Sequence, residues 1–190
     1  MSEYTAVRAV SQTLKELVEA HVTDPTVQVF LTSPKEMQQN KQTGISIWLY
    51  RLTRNEFLLN QPRRRPANGQ VARNPMPVNL HYLITPLMTD PRDEQMLLGL
   101  VLQVFNDHAT VRGSDLKDAL LGSDAELRLS FEAPSLEDLT RIWGALQEPY
   151  QASLTYLVQS ITIESDHEPE SSGLVMQRET TYTQILETGD

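Results

Sequence analysis

The chain contains no cysteine. That absence excludes disulfides, thiolate metal sites and cysteine nucleophiles together. Aromatic residues are sparse at 6%, and no apolar run approaches the roughly 18 residues a membrane span needs. The opening residues, Met1-Ser2-Glu3-Tyr4-Thr5, supply neither a basic start nor an apolar signal core, so synthesis and assembly in the cytoplasm are the expectation. The eight glycines are scattered singly. Neither G-x-x-x-x-G-K-S/T nor G-x-G-x-x-G occurs, so a nucleotide cradle has no support. H-E-x-x-H and the G-x-S-x-G elbow are missing as well. No cofactor and no metal are expected.

What remains is the pattern of a globular α/β (α+β) domain. Its 190 residues are 39% hydrophobic, enough for one real core. We divide them into a core domain, 1–165, and a C-terminal arm, 166–190. Residues 3–21 read as an amphipathic helix, with Val7, Val10, Leu14, Leu17 and Val18 on one face. A short β-branched strand follows at 27–31, ended by Ser33-Pro34, and the polar stretch 35–43 reads as loop. Gly44 opens a long strand reaching about Asn60. Ile45, Ile47 and Leu49 lie on one side of it and Trp48, Tyr50 and Leu52 on the other, so its first half is expected to be buried on both.

A second strand spans 79–84, with Leu80, Tyr82 and Ile84 on one face. Together the two strands make an extended hairpin. Asp90 then caps a long helix, Pro91 suits its first position, and Met96, Leu97, Leu100, Val101, Val104 and Phe105 form its apolar face. The Gly113-Ser114-Asp115 and Gly122-Ser123-Asp124 turns bracket a short helix over 116–121. Residues 125–133 alternate, with Leu127, Leu129 and Phe131 inward. Ser135 caps a third main helix whose buried stripe is Leu139, Ile142, Trp143 and Leu146. The last core strand, 153–164, changes phase between Val158 and Ile161, which predicts a bulge near Gln159-Ser160. The expected fold is a single mixed or antiparallel sheet with about three helices packed on it.

The charge is uneven. Residues 51–73 hold six arginines against Glu56, which makes that segment +5 and leaves −14 on the rest of a chain whose net charge is −9. The connection 61–77 contains four prolines, one glycine and four arginines, with no apolar period. An acidic body carrying a basic hairpin tip suits docking onto an acidic surface, and Arg63, Arg64, Arg65 and Arg73 are the candidate contact residues. The alternative is a small anion- or nucleic-acid-binding module using the same loop. Against nucleic acid stand the lack of interleaved aromatics and the acidity of the body. A serine hydrolase using Asp107-His108 with Ser114 or Ser123 is the other alternative. His21 and His108 each fall near a predicted helix C-terminus, where an imidazole complements the dipole.

Four segments, taken in order, carry a resemblance. Leu80-His81-Tyr82-Leu83-Ile84-Thr85 resembles the L-x-Y-L-L/I-T strand of the tail-terminator or cap proteins of extracellular contractile injection systems. These are the phage-tail-like particles of the antifeeding-prophage and virulence-cassette type. Glu94–Gly99 with Gln103–His108 is similar to that family's central helix. Leu136–Leu146, followed by the P-Y-x-x-S-x-x-Y pattern of Pro149–Tyr156, is similar to its later segments, with Trp143, Pro149 and Tyr150 in register. The resemblance runs from about Tyr4 to Glu164, and longer relatives continue beyond it. It implies a tail-terminator-like fold and a structural part that is not an enzyme. It also implies a sixfold homo-oligomeric ring capping inner tube and sheath, with those proteins as partners and no membrane.

Overall fold

The computed structural model describes residues 4–58, 70–71, 75–163 and 170–171. Helix α1 (Ala6–Glu19) forms where the apolar period is strongest, and buries Ala6, Ala9, Val10, Thr13, Leu14, Leu17 and Val18. Strand β1 (Gln28–Phe30) follows it. The expected loop after β1 is instead a helix, α2 (Pro34–Gln39). Ser33 and Glu36 cap it reciprocally: the Glu36 N–H donates to Ser33 Oγ at 3.3 Å, and the Ser33 N–H donates to Glu36 Oε2 at 2.9 Å. These hydrogen bonds, the backbone one first, hold the Glu36 carboxyl below its ordinary range. A helix this polar shows no apolar period. Met37, fully buried, and Pro34 anchor it.

Strand β2 (Gly44–Arg54) pairs in parallel with β1. Gly44, at φ +143°, makes that approach possible, because a Cβ there would collide with the Gln28 carbonyl oxygen. Ile45, Ser46 and Ile47 are buried, but Trp48 and Tyr50, expected to be buried, are only half-buried beside an open cleft, and Arg51, Leu52 and Arg54 are exposed, so β2 is fully covered only at its start. The strand ends at Arg54, short of the expected Asn60, and a 3-10 turn follows at Glu56–Leu58. Strand β3 (Gln70–Val71) pairs antiparallel with β8 (Glu170–Ser171), the last described piece of the chain. Apart from β8, the expected C-terminal arm, 166–190, lies outside the described residues.

Strand β4 (Met76–Leu87) is longer than expected and occupies the middle of the sheet. It runs antiparallel to β2 and to β7 (Leu154–Ile163). Pro86 is accommodated because the β4–β7 pairing stops at Ile84 and Leu154, which leaves that flank of Pro86 without a strand to serve. Helix α3 (Pro91–Asp107) begins at Asp90, whose carboxylate accepts from the Arg92 N–H at 2.9 Å. It buries Leu97, Val101, Val104 and Phe105. Its apolar face is narrower than expected: Met96 is 63% exposed and Leu100 only half-buried.

Strand β5 (Thr110–Arg112) comes next, and two 3-10 turns, Gly113–Asp115 and Asp118–Leu120, replace the expected short helix. The turns are pinned through buried Leu116 and Leu120, and through the Lys117 N–H donating to Thr13 Oγ1 at 3.0 Å. Strand β6 (Glu126–Glu132) and helix α4 (Leu136–Leu146) complete the elements. The main sheet has the order β1-β2-β4-β7-β6-β5 and is mixed, with only β1 and β2 parallel. The architecture is therefore α+β, as expected.

Two bulges set the phases of the hairpin and its neighbour. One lies between Leu49 and Arg51 on β2. The other falls where Val78 pairs with Ile161 but Leu80 pairs with Val158, which places the extra residue of β7 at Gln159-Ser160 as expected. Helices α1 and α3 cover one face of the sheet over a continuous core. Helix α4 covers only part of the other face, packing Trp143 and Leu146 on Leu83. Leu127 and Leu129 point into the main core, but Phe131 does not follow them and is 55% exposed. Its ring meets that of Tyr156 at 5.5 Å and a 58° tilt, beside an open groove of about 460 Å³ lined by Leu102, Phe105 and Asn106.

The difference between Leu97 and Leu100 is measurable. Leu97→Ala should cost about 2–5 kcal/mol, as expected for a buried leucine, and Leu100→Ala distinctly less. Thermal or denaturant unfolding of the two variants checks the ranking, and a larger loss at Leu100 contradicts the placement of α3.

Candidate functional site: a polar cleft on the open sheet face

Because α4 covers only part of its sheet face, a cleft of about 780 Å³ is left between the helix and the strands. Strand β2 contributes Trp48, Tyr50 and Arg51, β4 contributes His81, β6 contributes Glu132, and α4 contributes Asp138, Arg141 and Ile142. The Ala133-Pro134 corner brings β6 into α4. Ser135 fixes the start of the helix by accepting from the Asp138 N–H at 3.2 Å and donating to its carboxylate at 2.7 Å.

His81 is the hub of the cleft. Its Nδ1 lies 3.0 Å from Glu132 Oε2 and its Nε2 lies 3.1 Å from Thr53 Oγ1. An ionised carboxylate only accepts, so Nδ1–H donates to Glu132, and the neutral ring's Nε2 accepts from the Thr53 hydroxyl. Hydroxyl, imidazole and carboxylate thus stand in relay order, drawn from three different strands. The Tyr50 ring lies 6.2 Å from His81. Burial, and then the negative charge of Glu132, raise the Tyr50 phenol above its ordinary pKa.

Of the six arginines of the basic segment, Arg51 and Arg54 stand on the exposed half of β2, and neither makes an ion pair among the described residues. Arg63, Arg64, Arg65 and Arg73, the expected contact residues, lie outside the described residues. His108 does not meet Ser114 or Ser123: its Nδ1 reaches the Val104 carbonyl at 2.9 Å, and Ser123 donates to the Leu120 carbonyl at 2.7 Å. Both helix-end histidines sit where the sequence places them, and the fold brings their rings together at 5.2 Å. Spacing could reveal neither this pair nor the cleft, since the members of each are far apart in the chain. Among the described residues, no group of three or more histidine or carboxylate side chains is arranged to hold a metal ion, and no helix is long and apolar enough to cross a membrane.

This sheet-and-helix arrangement is that of tube-terminator proteins. It is similar to the PVC sheath/tube terminator of an extracellular contractile injection system in its extended state, with TM-score 0.66 and 16% identity, covering 97% of this chain and 65% of that one. It is likewise similar to the tube-terminating cap of the anti-feeding prophage, with TM-score 0.64 and 20% identity, covering 91% of this chain and 60% of that one. The chain thus spans somewhat under two thirds of the length of either. No curated protein sequence gives a significant match. The family model for the Pvc16 N-terminal domain matches residues 9–177, and the chain belongs to that family.

The cleft can be tested through Tyr50. Its ionisation should begin above the usual tyrosine value of about 10. Glu132→Gln should lower that midpoint without restoring the ordinary value, because burial, the larger cause, remains. Ultraviolet titration of the phenolate, with Tyr50→Phe identifying the transition, checks this. An unchanged or higher midpoint in Glu132→Gln contradicts the described geometry.

Proposed function

We propose that the chain is the core of a structural cap: a closed ring of six copies that ends the inner tube and sheath of a phage-tail-like contractile injection particle. The ring assembles in the cytoplasm and turns over no substrate. The observation that carries this reading is family membership over 9–177, together with a fold shared across nearly the whole chain with two terminators of such particles. The physical features agree with it. The edge strands β1 and β5 are three residues each, which blunts open-ended sheet-to-sheet growth. Contacts between copies then fall to the hairpin and the uncovered sheet face, and head-to-tail contacts of that kind close into rings when the rotation permits.

In this reading Arg63, Arg64, Arg65 and Arg73 meet an acidic surface on the neighbouring copy or on the tube or sheath beneath. Guanidinium groups suit the task because they bind carboxylates bidentately and shed water more readily than ammonium. Changing Arg63, Arg64 and Arg65 together to glutamate should leave the melting temperature nearly unaltered and abolish capping, giving tubes of uneven length in electron micrographs. Capping of normal-length tubes by the triple variant at physiological salt removes these residues from the contact.

One observation favours a second, hydrolytic reading: the relay order of Thr53, His81 and Glu132. As a structural network it locks three strands together and has no turnover to lose. The wild type and His81→Gln should therefore hydrolyse an activated ester such as p-nitrophenyl acetate at the same background rate. A rate in the wild type that His81→Gln and Thr53→Val both abolish supports the hydrolase instead.

A further inference from the structure

We propose that His21 and His108 form a two-histidine site for a transition-metal ion of the kind imidazole prefers, Zn²⁺ or Cu²⁺. This is independent of the capping role. His21 follows the C-terminus of α1 and His108 caps the C-terminus of α3, 87 positions further along the chain. Each ring turns back on its own helix: His21 Nδ1 lies 2.8 Å from the Leu17 carbonyl oxygen, and His108 Nδ1 lies 2.9 Å from that of Val104. A carbonyl can only accept, so both Nδ1 atoms carry hydrogen. In the neutral rings the lone pair is therefore on Nε2 in both cases. This is the arrangement in which a second ring nitrogen, held by a backbone carbonyl, fixes the tautomer and orientation of a metal-binding imidazole.

The spacing fits one ion. With metal–nitrogen bonds of about 2.0–2.1 Å, two imidazoles on a tetrahedral ion have their centroids about 5 Å apart. Here the centroids are 5.2 Å apart, with the rings inclined at 65°. His21 is exposed and His108 half-buried, so the ion has a path from solvent. The carboxylate of Asp24, three residues after His21 in the chain, is engaged by the Thr26 N–H and hydroxyl at 2.8 and 2.7 Å. No third histidine or carboxylate completes a cluster among the described residues, so water fills the other positions of the ion. The other described histidine, His81, has both nitrogens committed to Thr53 and Glu132 and does not compete.

The test is calorimetric titration of the untagged full chain with zinc chloride. One equivalent should bind, with affinity falling on acidification because protons compete for the same lone pairs. Either His21→Gln or His108→Gln should weaken binding by at least the roughly 10–100-fold that loss of a supporting partner alone costs. His81→Gln and His167→Gln should leave it unchanged. A direct reading on the wild type, by nitrogen-15 imidazole spectra, should show zinc shifting the Nε2 signals of His21 and His108 together. Binding of equal strength in the wild type and the His21→Gln/His108→Gln double variant overturns the site, as does a zinc response confined to other histidines.

Discussion

The constraint on which the rest of the structure depends is the burial of β4 from both faces and on both flanks. Leu80, Tyr82, Leu83, Ile84 and Thr85 are all fully buried. A strand so enclosed must find backbone partners on each side, because an unpaired N–H or C=O away from water costs about as much as a lost hydrogen bond. Strand β2 provides them along the whole run, and β7 as far as Ile84. Since side chains alternate faces, a slip of one residue would send Tyr82 and Leu83 to the wrong layers. Each of the two bulges puts one extra residue in a strand flanking β4 and so resets that strand's phase, while Leu80, Tyr82 and Ile84 stay toward α1 and α3. The bond between the Tyr82 and Ser11 hydroxyls, at 2.8 Å, ties that register to α1. Burial raises the Tyr82 phenol well above its ordinary pKa and outweighs the opposite effect of Ser11. The protein should therefore lose stability as pH rises past the usual tyrosine range, where the unfolded chain ionises first.

From this constraint comes the asymmetry of the two faces. The face carrying Ile84 has two long helices and a large core, while on the face carrying Leu83 the cluster is small, with Trp143 and Leu146 of α4 packed on that leucine. What α4 leaves uncovered becomes the cleft of Trp48, Tyr50, His81 and Glu132. An open sheet face, short edge strands and a hairpin whose Arg51 and Arg54 make no ion pair among the described residues are the features on which the proposed contacts rest.

Periodicity made most of the fold legible. It placed α1, α3, α4 and the four long strands, and the phase change between Val158 and Ile161 located a bulge that the register bears out. It failed where the signal was polar or terminal. Helix α2 shows no apolar stripe and is held by the Ser33 and Glu36 cap, a signature readable in S-x-x-E but outweighed by the polarity of 35–43. Phe131 obeyed the alternation of β6, yet it lies at the open groove beside α3, a fact of tertiary placement. The family was legible through Trp143, Pro149 and Tyr150 in register with other motifs. The cleft was not, since Thr53, His81 and Glu132 meet only through sheet order. The ring pair of His21 and His108 was hidden for the same reason.

The central claim is that this domain ends a tube. The most direct measurement is electron microscopy of tube and sheath assembled with and without the wild-type chain. The account predicts a ring with a central opening seated at one end of each particle, and uniform lengths only when the chain is present. Lengths that do not respond to the chain, with the protein remaining monomeric beside the tubes, would contradict it.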